Sequence, residues 1–403
     1  MKSTTGRDRR VTAHWRPATK LVRAGTERSS FGETSEAIML TSGFSYDAAE
    51  IARDRFDGTS AGYTYSRQAN PTVAAFEERM AMIEGAAAAA ATATGMAAMT
   101  AALLGQLRAG DHAVGARALF GSCRWLLDEL LPRYGIATTI VDGTDIDAWA
   151  AAMRPETKLL FLESPANPTL EIIDIPAVAE IAHDGGARLV VDNVFASPVL
   201  QRPFELGADL VCYSATKHID GQGRTLGGVV LGPEEIVVEE LGPFLRHTGP
   251  TLSPFNAWVL LKSLETLELR VHGMCDRAEA IAAALLEAGA NPLYPTLDSF
   301  PQKEMAKRQM RRGGSVITFT LPGGESQAFA FLDALEIIDI SNNLGDSRSI
   351  AAHPWSTTHK ALDEATRRTM GITEGMIRIS AGLEDAADLV DDVRQALERS
   401  RKG

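Results

Sequence analysis

Cysteine is scarce in this chain: there are only Cys123, Cys212 and Cys275, far apart and odd in number. That excludes a disulfide framework or a cysteine-built zinc site and suits a reducing cytoplasm. Each is read as a small buried hydrophobe, the usual state of an unpaired cysteine. Long apolar runs are also missing. A membrane span needs roughly 20 consecutive apolar residues, and the Ala-rich run Ala86–Ala91 is short and weakly apolar. The N-terminus carries Lys2, Arg7, Arg9 and Arg10 with no apolar segment behind them, so it reads as a solvated tail rather than a secretory signal. Positive charge is in deficit: 40 Lys and Arg against 52 Asp and Glu give a net charge of -12. General attraction to nucleic acid or an anionic membrane is therefore not expected, and any anion binding must rest on local basic sites.

What the chain has in quantity is apolar content, 45% of 403 residues, enough for a large core and two domains. Residues 1–62 are irregular and rich in Ser, Thr, Gly and Arg, with little periodicity beyond Glu36–Leu40, and read as an arm that wraps a neighbouring subunit, a floppy leader being the other reading for the part before Thr19. Pro71–Glu84 is expected to be a helix, capped by Asn70 and ended by Gly85. Lys158–Glu163, Ile175–His183 and Arg188–Asp192 alternate strand, helix, strand, followed by a strand over Asp209–Tyr213. Continuous apolar strands with helices between them imply an α/β fold whose parallel sheet is covered on both faces. Beyond Trp258 the pattern changes to helices over Asn256–Glu268 and Cys275–Ala288, then strands over Gly314–Phe319 and Met376–Ser380 of a smaller α+β unit. The expected division is thus an arm over 1–62, an α/β domain over 63–258 and a C-terminal domain over 259–403.

Ligands in an open α/β sheet gather beyond the carboxyl ends of the strands. Glu163, Asp192 and the run Ser214-Ala215-Thr216-Lys217 all stand at such ends. Two hydroxyls and a lysine after an apolar strand suit a lysine that tethers a phosphorylated aldehyde cofactor. Asp192 would be costly to bury without a cation, and a protonated pyridine nitrogen is one; a turn or cap aspartate is the other reading. Thr92-Ala93-Thr94-Gly95-Met96 precedes a helical stretch over Ala97–Leu104, whose first N–H groups can meet a phosphate, with Ser214 and Thr216 adding hydroxyls. Tyr65 and Arg67 offer a phenol and a forked guanidinium, either to a phosphate or merely to solvent. Arg378 shares a strand face with Met376 and Ser380, as a structural ion pair or as a clamp for a carboxylate. The glycines of Gly221–Gly228 are wrongly spaced for a dinucleotide fingerprint, and His353 and His359 lack partners for a metal site.

In this order the motifs resemble the Cys/Met-metabolism family of pyridoxal-phosphate enzymes, from Val22-Arg23-Ala24-Gly25 to Arg378-Ile379-Ser380-Ala381-Gly382. The resemblance is strongest in Glu163-Ser164-Pro165-Ala166-Asn167-Pro168-Thr169, in Ser214–Arg224 and in Ser341-Asn342-Asn343-Leu344-Gly345-Asp346. It implies a type I PLP-transferase fold and formation of L-homocysteine and succinate from O-succinyl-L-homoserine and sulfide, in methionine biosynthesis. Cysteine as the nucleophile, an acetyl ester or γ-elimination are the neighbouring activities, and a scaffold without catalysis the distant one. It further implies pyridoxal 5'-phosphate as cofactor, Lys217 as the Schiff-base lysine, Asp192 at the ring nitrogen, and Gly95, Met96, Ser214 and Thr216 at the phosphate. Tyr65 and Arg67 would reach the phosphate of a neighbouring subunit in a dimer of dimers, Arg378 the substrate carboxylate, and Asn167 the cofactor ring. Three positions depart from the pattern: Phe120 replaces a ring-stacking tyrosine, Ser122 a cysteine of the methionine γ-lyases, and Asn343 a serine. Phe120 stacks without transferring protons, and Arg224, Arg124 and Arg348 are candidates to meet succinate.

Overall fold

The computed structural model describes residues 14–26 and 28–401, so the basic tail with Lys2, Arg7, Arg9 and Arg10 lies outside the described residues. The described chain falls into two compact units. One takes the residues up to Gln106 with Cys212–Thr216 and Thr225–Thr266, the other Leu107–Val211, Lys217–Arg224 and the residues from Leu267 on.

Seven strands form the main sheet: β1 (Ala88–Thr92), β2 (His112–Ala116), β3 (Ala137–Val141), β4 (Thr157–Glu163), β5 (Arg188–Asp192), β6 (Leu210–Ser214) and β7 (Gly228–Gly232). Their order is β1-β7-β6-β5-β4-β2-β3. Within the second unit, β2 pairs in parallel with β3 and β4, and β4 with β5. Within the first, β1 lies antiparallel to β7, from Ala88 opposite Gly232 to Thr92 opposite Gly228. The parallel strands β2, β4 and β5 are buried nearly throughout, Leu159–Leu162 and Leu189–Val191 being fully so, which is what continuous apolar runs require, while the edge strand β3 buries only Val141. The register sets Glu163 opposite Asp192 at the carboxyl ends of β4 and β5. The expected α/β class, with a large and mostly parallel sheet, is what the chain forms.

Four more strands in the second unit, β8 (Val316–Thr320), β9 (Asp339–Ile340), β10 (Ile350–Ala352) and β11 (Met376–Ser380), make a smaller sheet in the order β8-β11-β10-β9. The alternation along β11 is realised: Ile377 and Ile379 enter a core with Ile317, Phe319, Ile281, Leu285, Leu389 and Val393, leaving Arg378 on the other face.

The helix Pro71–Glu84 has its expected limits, with the Asn70 side chain accepting from Thr72 N and Gly85 left-handed at φ 83°. Other boundaries shift. The helix expected over Ala97–Leu104 begins at Gly95, because the Thr94 hydroxyl caps it from one residue earlier. The expected helices Asn256–Glu268 and Cys275–Ala288 are instead Pro254–Leu264, capped by Ser253, and Leu267–Glu287. The expected strand Asp209–Tyr213 is Leu210–Ser214, since Asp209 turns its carboxylate back onto Leu189 N at 2.7 Å. The arm contains two short helices that periodicity did not reveal, Pro17–Arg23, which buries only Leu21, and Ala49–Phe56, which buries nothing. Glu36 anchors the described arm: it pairs with Arg79 at 2.8 Å and Lys262 at 3.2 Å, and its carbonyl accepts from Trp258 Nε1. All three cysteines are buried.

Candidate functional site

In the second unit Lys217 stands at the head of a hydrogen-bonded series. Its Nζ donates to Asn343 Oδ1 at 2.5 Å, and the Asn343 carbonyl accepts from Arg378 Nη2 at 2.9 Å. The same guanidinium donates to the Asn342 carbonyl at 3.0 Å and, through Nη1, to Asn167 Oδ1 at 2.9 Å. Arg378 is 2% exposed and forms no ion pair among the described residues; its Nε has no acceptor. A structural ion pair, one of the two readings of this residue, is therefore absent. Burial lowers its basicity to about 10, with Glu163 opposing, so it stays charged at neutral pH. A buried cation bonded only to neutral oxygens has the charge and the geometry to take an anion.

Burial, reinforced by Arg378, also lowers the Lys217 amine from its ordinary 10.5 to about 8. The segment behind it is fixed. His218 Nε2 meets Ser315 Oγ at 2.8 Å, and Arg270 donates to the His218 carbonyl at 2.7 Å and the Ile219 carbonyl at 3.2 Å. Gly345, at φ +70°, packs so tightly that a Cβ there would stand 2.7 Å from His218 N. The loop carrying Asn343 is thereby seated beside Lys217.

Asp192 is 5% exposed and accepts from Val194 N at 3.1 Å through one oxygen. That is the local turn contact expected on the plainer reading, but among the described residues no cation meets its charge. Burial raises it to about 7. Glu163, also buried, is pushed well above the usual carboxylate range by burial and by Asp192. Its two oxygens accept from Phe120 N at 2.6 Å and Asn167 N at 3.0 Å. Two adjacent buried carboxylates without a paired cation leave a negative demand that a protonated ring nitrogen would meet.

The first unit holds the other candidate residues. Thr94 accepts from Ala97 N at 3.1 Å and so leaves the N–H of Gly95 at the open end of the helix. A Cβ on Gly95 would stand 2.5 Å from Ser214 Cβ and 2.7 Å from its Oγ, so only glycine lets the helix start lie against the end of β6. Among the described residues the Ser214 hydroxyl has no hydrogen-bond partner. Thr216 Oγ1 accepts from Gly227 N at 3.2 Å and keeps lone-pair capacity. A neutral cup of backbone N–H and hydroxyl groups at a helix N-terminus suits a phosphate dianion. Met96 lies on the first turn of the same helix.

Tyr65 and Arg67 are exposed and face each other, the guanidinium 5.4 Å from the phenol ring, with Arg67 donating to the Arg246 carbonyl. Of the arginines considered for succinate, Arg224 is paired with Asp220 at 3.1 Å and Arg124 with Asp128 at 2.6 Å, while Arg348 is exposed. His353 is occupied by Ser356 at 2.7 Å and the Glu374 carbonyl at 2.6 Å, and His359 by Thr358 at 2.9 Å. Among the described residues no three His, Cys, Asp or Glu side chains gather as metal ligands. Nor is any helix there long and apolar enough to cross a membrane. The reading of single residues missed Asn343 as the partner of Lys217 and Glu163 as the holder of two loops. The carboxylate at a strand end was the one visible sign of the latter.

The sequence model of the family described as Cys/Met metabolism PLP-dependent enzyme matches residues 18–398. A Mycobacterium tuberculosis relative called O-succinylhomoserine sulfhydrylase is 50% identical over 94% of this chain and 95% of its own. One of the same name from Pseudomonas aeruginosa is 47% identical over 94% of each. The solved structure of cystathionine gamma synthase from Xanthomonas oryzae, in complex with aminoacrylate and cysteine, aligns at a TM-score of 0.91 and 36% identity over 96% of this chain and 99% of that one.

Proposed function

Since the chain belongs to the Cys/Met metabolism PLP-dependent enzymes, we propose that it exchanges the γ-substituent of an activated homoserine, converting O-succinyl-L-homoserine and sulfide into L-homocysteine and succinate. The observation that carries this reading is the series Lys217, Asn343, Arg378, Asn167: an amine of lowered basicity held beside a buried guanidinium that has no ion-pair partner among the described residues. The relatives from Mycobacterium tuberculosis and Pseudomonas aeruginosa carry the name of this activity, which supports the succinyl ester and sulfide over the alternatives.

Bound pyridoxal 5'-phosphate supplies an electron sink for charge developing at the substrate's Cα. The residues of the chain do the rest. Lys217 would hold the cofactor aldehyde and, with its amine free, would carry protons at the substrate's Cα and Cβ. A pKa of about 8 leaves a useful share of neutral amine near pH 7, where an ordinary lysine has almost none. Arg378 would bind the substrate carboxylate, with Asn167 orienting the guanidinium and lying near the ring. Asp192 would hold the ring nitrogen charged, Phe120 would lie against the ring, and Gly95, Met96, Ser214 and Thr216 would hold the phosphate. With Phe120 in place of a phenol, proton movement falls to Lys217. Tyr65 and Arg67, exposed in their own chain, serve the phosphate of a second copy, so the working unit is at least a dimer, within a tetramer of two such dimers. Residues 1–62 act as an arm, 63–258 as the cofactor domain and 259–403 as the C-terminal domain of a cytoplasmic enzyme.

The test is incubation of the cofactor-loaded protein with succinyl- and acetyl-homoserine, each with sulfide or cysteine, and identification of products by mass. Homocysteine from the succinyl ester and sulfide is the expected main product. Faster formation of cystathionine from cysteine would instead make the chain a synthase like its Xanthomonas oryzae neighbour. A colourless protein that borohydride cannot label would return it to a scaffold.

A further inference from the structure

Glu163 closes β4 with its carboxylate 2% exposed, and no lysine or arginine forms an ion pair with it among the described residues. Its oxygens are divided between two loops of the second unit. Oε2 accepts from the backbone N–H of Phe120 at 2.6 Å, and Oε1 from that of Asn167 at 3.0 Å. Phe120 directly precedes the short helix Gly121–Trp125, and Asn167 passes the connection on through Oδ1 to Arg378 Nη1 at 2.9 Å. Neither loop is a neighbour of the other in sequence; the carboxylate joins them.

We infer that Glu163 is a positioning residue: one carboxylate sets both the ring of Phe120 and, through Asn167, the plane of the Arg378 guanidinium. The inference rests on the functional reading above, in which Phe120 lies against the cofactor and Arg378 takes the substrate carboxylate. The group suits the task because its ionised form, which the Phe120 and Asn167 N–H groups favour against the pull of burial, has acceptors at both ends and no donor. Glutamine has the same shape but must turn an NH2 toward one of the two N–H groups, so one loop loses its anchor and a buried donor goes unpaired. Arg378 meanwhile keeps its bonds to the Asn342 and Asn343 carbonyls, so the guanidinium remains in place but tilts.

The experiment compares wild type with Glu163→Gln, both loaded with cofactor. It follows borohydride labelling at Lys217, visible circular dichroism of the bound cofactor, and KM and kcat for O-succinylhomoserine. Labelling of the variant should persist, while the dichroic band changes and KM rises by roughly tenfold or more, the scale of one lost hydrogen bond to a charged group. A purely architectural glutamate would lower thermal stability and leave dichroism and KM at wild-type values, and that result overturns the inference. Should Glu163→Gln not accumulate as folded protein, Glu163→Asp is read the same way. It keeps the charge but withdraws both acceptors by one methylene, so unchanged dichroism and KM in that variant are equally fatal. Failure of the wild type itself to label at Lys217 would overturn the functional reading and this inference with it, whereas a labelled but otherwise unaltered variant overturns this inference alone.

Discussion

In the second unit Lys217, Arg378, Glu163 and Asp192 are titratable side chains taken largely or wholly out of water and held by amides. In the first unit Thr94, Gly95, Ser214 and Thr216 carry no formal charge, and their arrangement depends on a helix start and a missing Cβ. The two regions serve different demands. Moving a proton requires a group whose basicity has been shifted, and burial supplies the shift at a cost in stability. Holding a phosphate requires donors already pointing inward, which the first turn of a helix provides without any ionisable group. Changes in the charged cluster should therefore alter rate and pH behaviour, and changes in the neutral cup should alter cofactor retention.

The largest expected effect is that of Lys217→Ala. Turnover should fall by roughly two to four orders of magnitude, the usual scale of a positioned proton-transfer group, and borohydride should no longer fix cofactor to the chain. Full activity in this variant would dissolve the distinction between the two regions. Next comes Asp192→Asn, which on the proposed reading would remove the charge facing the ring nitrogen. Loss of one partner of a buried pair costs about 3 kcal/mol or more, so kcat should drop by roughly a hundredfold, and the absorption of the bound cofactor should shift. Gly95→Ala should do the reverse: weaken cofactor retention by roughly tenfold or more while kcat at saturating cofactor stays near wild type, because the Cβ collides with Ser214 and not with the proton-transfer groups. Equilibrium dialysis against free cofactor separates the two variants.

The pH prediction is gentler. Lys217 titrates near 8 in the folded, cofactor-free protein against 10.5 for an ordinary lysine, so the amine should react with acylating reagents increasingly as pH rises through about 8. Between about pH 8 and 10.5 the unfolded chain binds the proton more tightly than the folded one, so this group makes stability rise with pH across that window, and below it the burial cost is present in full. Peptide mapping of labelled Lys217 across pH 6 to 11 checks the first statement, and unfolding midpoints of Lys217→Met against wild type check the second. A midpoint of labelling near 10 would show that the cluster does not perturb its lysine.

How much of this was legible depended on how local each signal is. The strands Arg188–Asp192 and Met376–Ser380 and the helix Pro71–Glu84 were read to the residue, because apolar continuity, alternation and a cap with a terminal glycine are written within a few positions. The break between Leu264 and Leu267 was not, because Glu265-Thr266 contains neither proline nor glycine and both are tolerated within a helix. The short helices Pro17–Arg23 and Ala49–Phe56 bury too little to leave a pattern. Among the candidate site residues, Asp192 was singled out because it ends an apolar strand and Lys217 because it closely follows one. Asn343, 126 positions from Lys217, could only be found in space. The two amides that Glu163 holds are backbone groups and so carry no residue signature at all.

Gly345 bends with a positive φ and presses its bare Cα against the residue that follows the lysine. The acid-base behaviour of Lys217 is thereby hostage to a position that carries no functional group. Any side chain introduced there would meet His218 N at 2.7 Å and force apart the two segments that carry Lys217 and Asn343.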